Sequence, residues 1–342
     1  MSFRPDLYRG TADYYDRFRL AYPDTMLADL VHRTSPSGHG RLLDLACGTG
    51  QLAFPLRAWF AEVWAVDAEA DMGDVVRAKA GAGGEVADAG AGGGGDAADA
   101  KAVCDRAGVG GGVGRVRDVA ARVAVGGDVV GAGAGADGGV VDVRAGAAGA
   151  AVTGDAAHVR AVTAKAEDLE MDAGSVELVV IGNAFHRLPR DLVARRVLSW
   201  LEPGGHLALC WSTSPWAGPS DWQRAFGAVL RRWQAALGAT SRVPSSAEQR
   251  RRTDPDGEVL RRAGFEPAVR HEFAVEHRWT LGELAGHVRS TSFLPPSVLG
   301  DRAAEFDGDL MAVLSPYTVD GHLTETVSFA YDLARRPGVA SG

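Results

Sequence analysis

A glycine-cornered turn, Cys47-Gly48-Thr49-Gly50, follows an apolar run carrying one carboxylate, Asp44, in the stretch LLDLACGTGQLA at 42–53. Glycines there let the backbone bend tightly and approach a ligand that a Cβ would exclude. Asp44, three residues before the turn, suits an ammonium or sulfonium group and opposes a pyrophosphate. Further on, Asp67 ends a second apolar run, Asn183 ends a third, and His186 follows in NAFHRLP. Ligands of open α/β sheets sit at the carboxyl ends of the strands, so Asn183 is placed to touch a cofactor. His186 is placed to act as general base on an acidic substrate group. The plainer alternatives are a helix N-cap for Asp67 and a hydrogen-bonded, loop-shaping histidine for His186.

Spacing alone leaves two chemistries open. Gly48, Gly50 and Ala53 satisfy the G-x-G-x-x-A pattern of a dinucleotide site, and Asp67 follows about where its ribose-binding acid is expected. A nicotinamide-dependent oxidoreductase would also need a Tyr/Lys or His/Asp constellation downstream, and none stands out. The D-x-A-C-G-T-G form instead resembles motif I of the class I S-adenosylmethionine-dependent methyltransferases. VWAVDAEADM at 63–72 is similar to that family's second strand, and AKAEDL at 164–169 to the loop after its third. ELVVIGNAFHRLPRD at 177–191 resembles strand four with its active-site loop, WLEPGGHLALCW at 200–211 the turn into strand five, and TADYYDRFRLAYP at 11–23 the N-terminal cover.

The resemblance spans about three quarters of the chain. It implies a doubly wound, Rossmann-like α/β fold: a seven-stranded, mostly parallel sheet with an antiparallel last strand and a small helical lid. It implies S-adenosyl-L-methionine as cofactor, held by Asp44, Ala46, Gly48 and Gly50 at the turn and by Asp67 at the ribose. Ala166 and Glu167 would lie along the adenine, Asn183 at the methionyl part, and Tyr14 and Arg17 near the carboxylate. The implied reaction is methyl transfer to an O, N or C nucleophile of a small molecule by in-line displacement, often with no dedicated base. Trp211 and Trp216, at the end of strand five, either line the acceptor pocket or only pack.

The elements that must position these residues follow from apolar periodicity. Strands are expected over 41–46, 62–67, 158–163, 176–182 and 205–211, nearly continuous in apolar residues as for a parallel sheet covered on both faces. Helices are expected over 50–60, 190–201 and 220–237, with another starting near Asp71. A strand over 266–278, a helical stretch over 280–312 and a last strand over 323–333 complete the pattern. The organisation expected is one methyltransferase domain over 1–342, with an N-terminal cover at 11–40 and a lid and sixth-strand region at 212–322.

Residues 73–157 match nothing in the family. They are almost entirely Gly, Ala, Val and Asp with some Arg, hold more than half of the 45 glycines, and contain no Leu, Ile, Met, Phe, Tyr, Trp or Pro. Such a segment has little apolar surface to offset ordering entropy and is expected to stay outside the packed domain. Its abundant residues have codons beginning with G, which suggests a GC-rich stretch read out of frame or expanded from repeats; a natural linker is the plainer origin. A third functional reading follows: a non-catalytic relative disrupted by this block.

Composition narrows the classes. A net charge of −8, a pI near 5.6 and no standout basic run argue against nucleic-acid or anionic-membrane partners. Cys47, Cys104 and Cys210 show neither metal-ligand spacing nor a disulfide pattern, and no leader or membrane-spanning run is read. A cytoplasmic enzyme with a small-molecule methyl acceptor and no metal is therefore expected.

Overall fold

The apolar runs at 41–46, 62–67, 158–163 and 176–182 are strands in the structure, a computed structural model that describes residues 7–82, 157–242 and 253–338. In chain order the elements are α1 (Ala12–Phe18), α2 (Asp24–Thr34), β1 (Arg41–Leu45), α3 (Ala53–Leu56), β2 (Glu62–Asp67) and α4 (Ala70–Ala82). Then come β3 (Val159–Thr163), β4 (Val176–Gly182), α5 (Arg190–Trp200), β5 (Leu201–Ser212), α6 (Asp221–Ala236) and α7 (Asp256–Ala263). The chain closes with β6 (Val269–Trp279), α8 (Leu281–Arg289), α9 (Pro296–Leu299), α10 (Ala303–Leu314) and β7 (Leu323–Arg335).

The seven strands form one sheet in the order β3-β2-β1-β4-β5-β7-β6. The first five are parallel, and β7 runs antiparallel to both β5 and β6. This is the doubly wound, Rossmann-like arrangement of the class I methyltransferases. The order reverses between β1 and β4, so their carboxyl ends open a crevice where such sheets bind ligands. Alternation along β1 splits the core: Leu42 packs with α2 and α3, whereas Leu43 and Leu45 pack with α5 and α7. A third apolar cluster joins α6, α8 and α10 around Trp279 and Phe306, within the region 212–322 where a lid is expected.

Three expectations change. The helix expected over 50–60 is cut to Ala53–Leu56 and a single tight turn, because Pro55 has no N–H to give to a preceding carbonyl. β5 begins at Leu201, not 205: Val176 pairs with Leu201 and Leu178 with His206, so Pro203-Gly204-Gly205 is taken up as a bulge within the strand. The helical stretch from 280 is three helices, opened by a capping box of Thr280 and Glu283 and broken before Pro296. At 73–157, α4 runs on to Ala82, and Lys79 donates to Asp16 at 2.7 Å and to the Thr49 carbonyl at 3.0 Å. What was expected of residues 83–156, Cys104 included, lies outside the described residues.

Candidate functional site

Two strand ends leave the ordinary backbone conformations side by side. After β1, Ala46 has φ +58° and Gly48 φ +55°; after β4, Asn183 has φ +52°. Left-handed backbone is strained for a residue with a Cβ, and such strain gathers at ligand sites. Asn183 is held there: its N–H donates to the Cys210 carbonyl at 2.8 Å, and its Oδ1 accepts from the Ser212 N–H at 3.2 Å. Its Nδ2 lies 3.3 Å from the Tyr22 hydroxyl.

Between these ends lies a cleft of about 690 Å³, its open mouth included. One wall is Ala46, Gly48, Gly182 and Asn183; Asp67, Glu69 and Met72 follow β2, and Ala164, Ala166 and Glu167 follow β3. Arg187 and Leu188 close one side, and Tyr8 and Tyr15 cover it. A Cβ built on Gly48 would stand 2.9 Å from the Tyr15 ring, so the bare backbone leaves room for that ring.

Asp67 is the best-anchored acid of the cleft. Its Oδ2 accepts from the Gly48 N–H at 2.8 Å and its Oδ1 from the Glu69 N–H at 2.9 Å. Burial pushes its carboxyl above the ordinary carboxylate range, against the pull of these donors. Glu69, also buried, is pushed up to about 7 by burial and by Asp71 and Asp67 beside it. Burial holds Tyr15 as a neutral phenol, its hydroxyl pushed up to about 12.

The expected site residues divide. Ala46, Gly48, Asp67, Ala166, Glu167 and Asn183 line the cleft together, whereas Asp44, Gly50, Tyr14, Arg17 and His186 do not. Asp44 shares the parity of Leu42 and turns under α3, where its Oδ2 accepts from the Ala53 N–H at 2.9 Å. Its carboxyl, fully buried, is pushed up to about 7, so it is not the fixed negative charge expected. A Cβ on Gly50 would meet Phe54 at 2.8 Å, within the core side of the turn. Tyr14 stacks on Phe18 at 6.0 Å, and the Arg17 guanidinium lies over the Phe18 ring at 5.1 Å. His186 is half-buried in the tight turn Phe185–Arg187. Trp211 lies under Arg270 at 5.1 Å, and Trp216 packs on His287 and Phe293 beside the third apolar cluster.

Sequence reasoning missed the residues that close the cleft. The Tyr8 N–H donates to Glu69 at 3.4 Å, the Gly10 N–H to Asp71 at 2.7 Å, and the Arg187 guanidinium sits over the Tyr8 ring at 5.2 Å. Arg187 also donates to the Ser292 hydroxyl at 3.3 Å, tying the turn after β4 to the segment that follows α8. A second aromatic one residue after Tyr14, and an Arg directly after His186, were the available signals.

No protein-family model matches the chain, and no curated protein matches it. Among solved structures, a candidate type II methyltransferase from Anaeromyxobacter dehalogenans is 18% identical with TM-score 0.46, over 94% of this chain and 99% of that one. Haemonchus contortus phosphoethanolamine N-methyltransferase 2, with phosphomonomethylethanolamine and S-adenosylhomocysteine, is 14% identical with TM-score 0.44, over 98% and 60%. The [4+2]-cyclase SpnF is 16% identical with TM-score 0.40, over 94% and 84%. These are likenesses of fold; the sheet order stands on its own, and function must be argued from the cleft.

Proposed function

We propose that the chain is an S-adenosyl-L-methionine-dependent methyltransferase acting on an O, N or C nucleophile of a small molecule. The observation that carries this reading is the sign of the cleft. Asp67, Glu69 and Glu167 line it against Lys165 and Arg187 alone, and Glu69 already resists ionisation beside its acidic neighbours. A pyrophosphate would add negative charge to that crowd, while a sulfonium would relieve it. The cleft's shape fits the same group. Asp67 is anchored to accept from a ribose diol, Met72, Ala166 and Leu188 offer apolar surface to a purine, and Gly48 and Asn183 stand at the methionyl end.

When bound, the cofactor supplies the electrophilic methyl group. The chain's own share is positioning and exclusion of water: Asp67 fixes the ribose, while Tyr8 and Tyr15 cover the cleft under the hold of Arg187. His186, in the turn beside the lining residues Ala184 and Arg187, is the group proposed to take a proton from an acceptor that needs one; displacement on a sulfonium proceeds without it when the nucleophile is already basic. Gly48 is buried and Asp67 and Asn183 are half-buried along the same cleft, which favours an acceptor small enough to reach them.

Calorimetry on the full chain tests the reading. S-adenosylmethionine and S-adenosylhomocysteine should each bind at one site, and NADH should not. Binding of the dinucleotide alone would establish the oxidoreductase reading, and no binding of any of the three would support the non-catalytic one.

A further inference from the structure

A second hollow opens at the opposite end of the sheet, where β5 and β6 begin and β7 ends. It measures about 800 Å³ with its mouth and is lined by His32 and Arg33 of α2, His206 of β5, His271 of β6, Arg335 of β7 and Glu266 just before β6. Pro267, Val269 and Leu333 form an apolar wall, on which Val269 is 56% exposed. None of the three imidazoles makes a side-chain hydrogen bond with a described residue. Arg335 donates only to the Gly204 carbonyl, at 3.2 Å, and has no carboxylate within 4.0 Å among the described residues. Arg33, by contrast, is paired with Asp29 at 2.9 Å.

Three imidazoles without a side-chain hydrogen bond and an Arg335 without a carboxylate, gathered on a concave surface beside an apolar wall, are the elements of an anion site. Among the described residues, no three His, Cys, Asp or Glu side chains stand close enough to hold a metal ion. We propose that this hollow binds an organic oxyanion, a carboxylate, sulfonate or phosphate head on a short apolar body, with the head between Arg335, His206 and His271 and the body against Val269 and Leu333. The site lies apart from the cleft and does not depend on what the cleft binds.

Protonation sharpens the prediction. Burial and the charge of Arg335 pull the His206 pKa down, and burial and Arg33 do the same for His271, so both rings are neutral near pH 7. The charged or acidic groups around them are Asp29, His32 and Arg33 from α2, Glu266 before β6, and Tyr331, Asp332 and Arg335 from β7. An anion bound between the rings favours their cationic forms, so binding takes up protons and tightens as pH falls.

Calorimetric titration of the full chain with sulfate and benzenesulfonate, whose charges stay fixed between pH 6 and 8, tests this. Benzenesulfonate should bind more tightly than sulfate, more tightly at pH 6 than at pH 8, and with no change in S-adenosylmethionine affinity. Arg335→Gln and His206→Gln, checked for unchanged thermal unfolding, should each weaken it by about tenfold, the scale of one charge-assisted hydrogen bond. Equal heats from sodium chloride at the same ionic strength, no binding, or full affinity in both variants would overturn the proposal.

Discussion

The carboxylate of Asp67 and the backbone N–H of Gly48 are joined at 2.8 Å, so the acid that ends β2 also fixes the turn that follows β1. The two neighbouring strand ends are thereby set relative to each other before any ligand arrives. Pre-organisation of this kind lowers the ordering cost of binding.

Asp67→Asn keeps the shape of the side chain but removes its charge and one acceptor. S-adenosylmethionine binding should weaken by about 1.5–3 kcal/mol, the range for hydrogen bonds to a charged group. Calorimetry gives the number directly; unchanged affinity with a lowered Tm would assign Asp67 to the turn alone.

The two turn glycines should respond differently. Gly48→Val drives a side chain into Tyr15 and forces φ +55° on a β-branched residue, so cofactor affinity should fall by about tenfold or more. Gly50→Val, at φ +82°, meets Phe54 and should act mainly on stability, by about 1–3 kcal/mol. Binding and denaturant titrations of both variants separate the effects.

Asp44 makes stability depend on pH. Its folded carboxyl, at about 7, lies above the ordinary 3.8, so the folded chain holds this proton more tightly than the unfolded one. Its contribution is complete below about pH 4 and is lost as pH rises through about 7, by on the order of 4 kcal/mol at about 1.4 kcal/mol for each pH unit. Asp44→Asn, which still accepts from Ala53, should remove that slope. Equal slopes of unfolding free energy between pH 5 and 8 in both proteins would contradict the assignment.

Neighbours on one turn should part company. Arg187→Ala releases the Tyr8 ring and the Ser292 hydroxyl, and should speed cofactor dissociation by about tenfold, on the scale of a desolvated cation–π contact. His186→Ala, outside the cleft lining, should leave the dissociation rate within about threefold, consistent with a surface-scale change. Stopped-flow displacement of bound S-adenosylhomocysteine reads both.

Replacing residues 83–155 with a short Gly/Ser linker should preserve S-adenosylmethionine binding, since this stretch carries so few large apolar side chains. The cut leaves Lys79 and its bonds to Asp16 and Thr49 in place. An insoluble or non-binding product would show that the block contributes to the domain.

The strands and the lining residues Gly48, Asp67, Ala166 and Asn183 were legible because each lies within a short local pattern: an apolar run and the polar residue that ends it. What closes the cleft was not. Tyr8, Glu69 and Arg187 meet across separations of 61 residues and more, which no local period encodes. Tyr15 rather than Tyr14 faces the cleft, and one residue is about 100° of helix rotation. The aromatic run on α1 hides that phase, because Tyr14 also packs, on Phe18. The place of Asp44 was hidden for another reason: strand parity sends its side chain beneath α3, while the motif's spelling draws attention only to the turn.

Ala46 holds φ +58°, a conformation that glycine adopts without strain. Ala46→Gly is therefore a change that a screen for thermal tolerance would select, and it would strip a methyl group from the cleft wall. Selection for robustness and selection for ligand fit pull in opposite directions at this one atom, so a lineage that keeps alanine here is recording use of the cleft rather than durability of the fold.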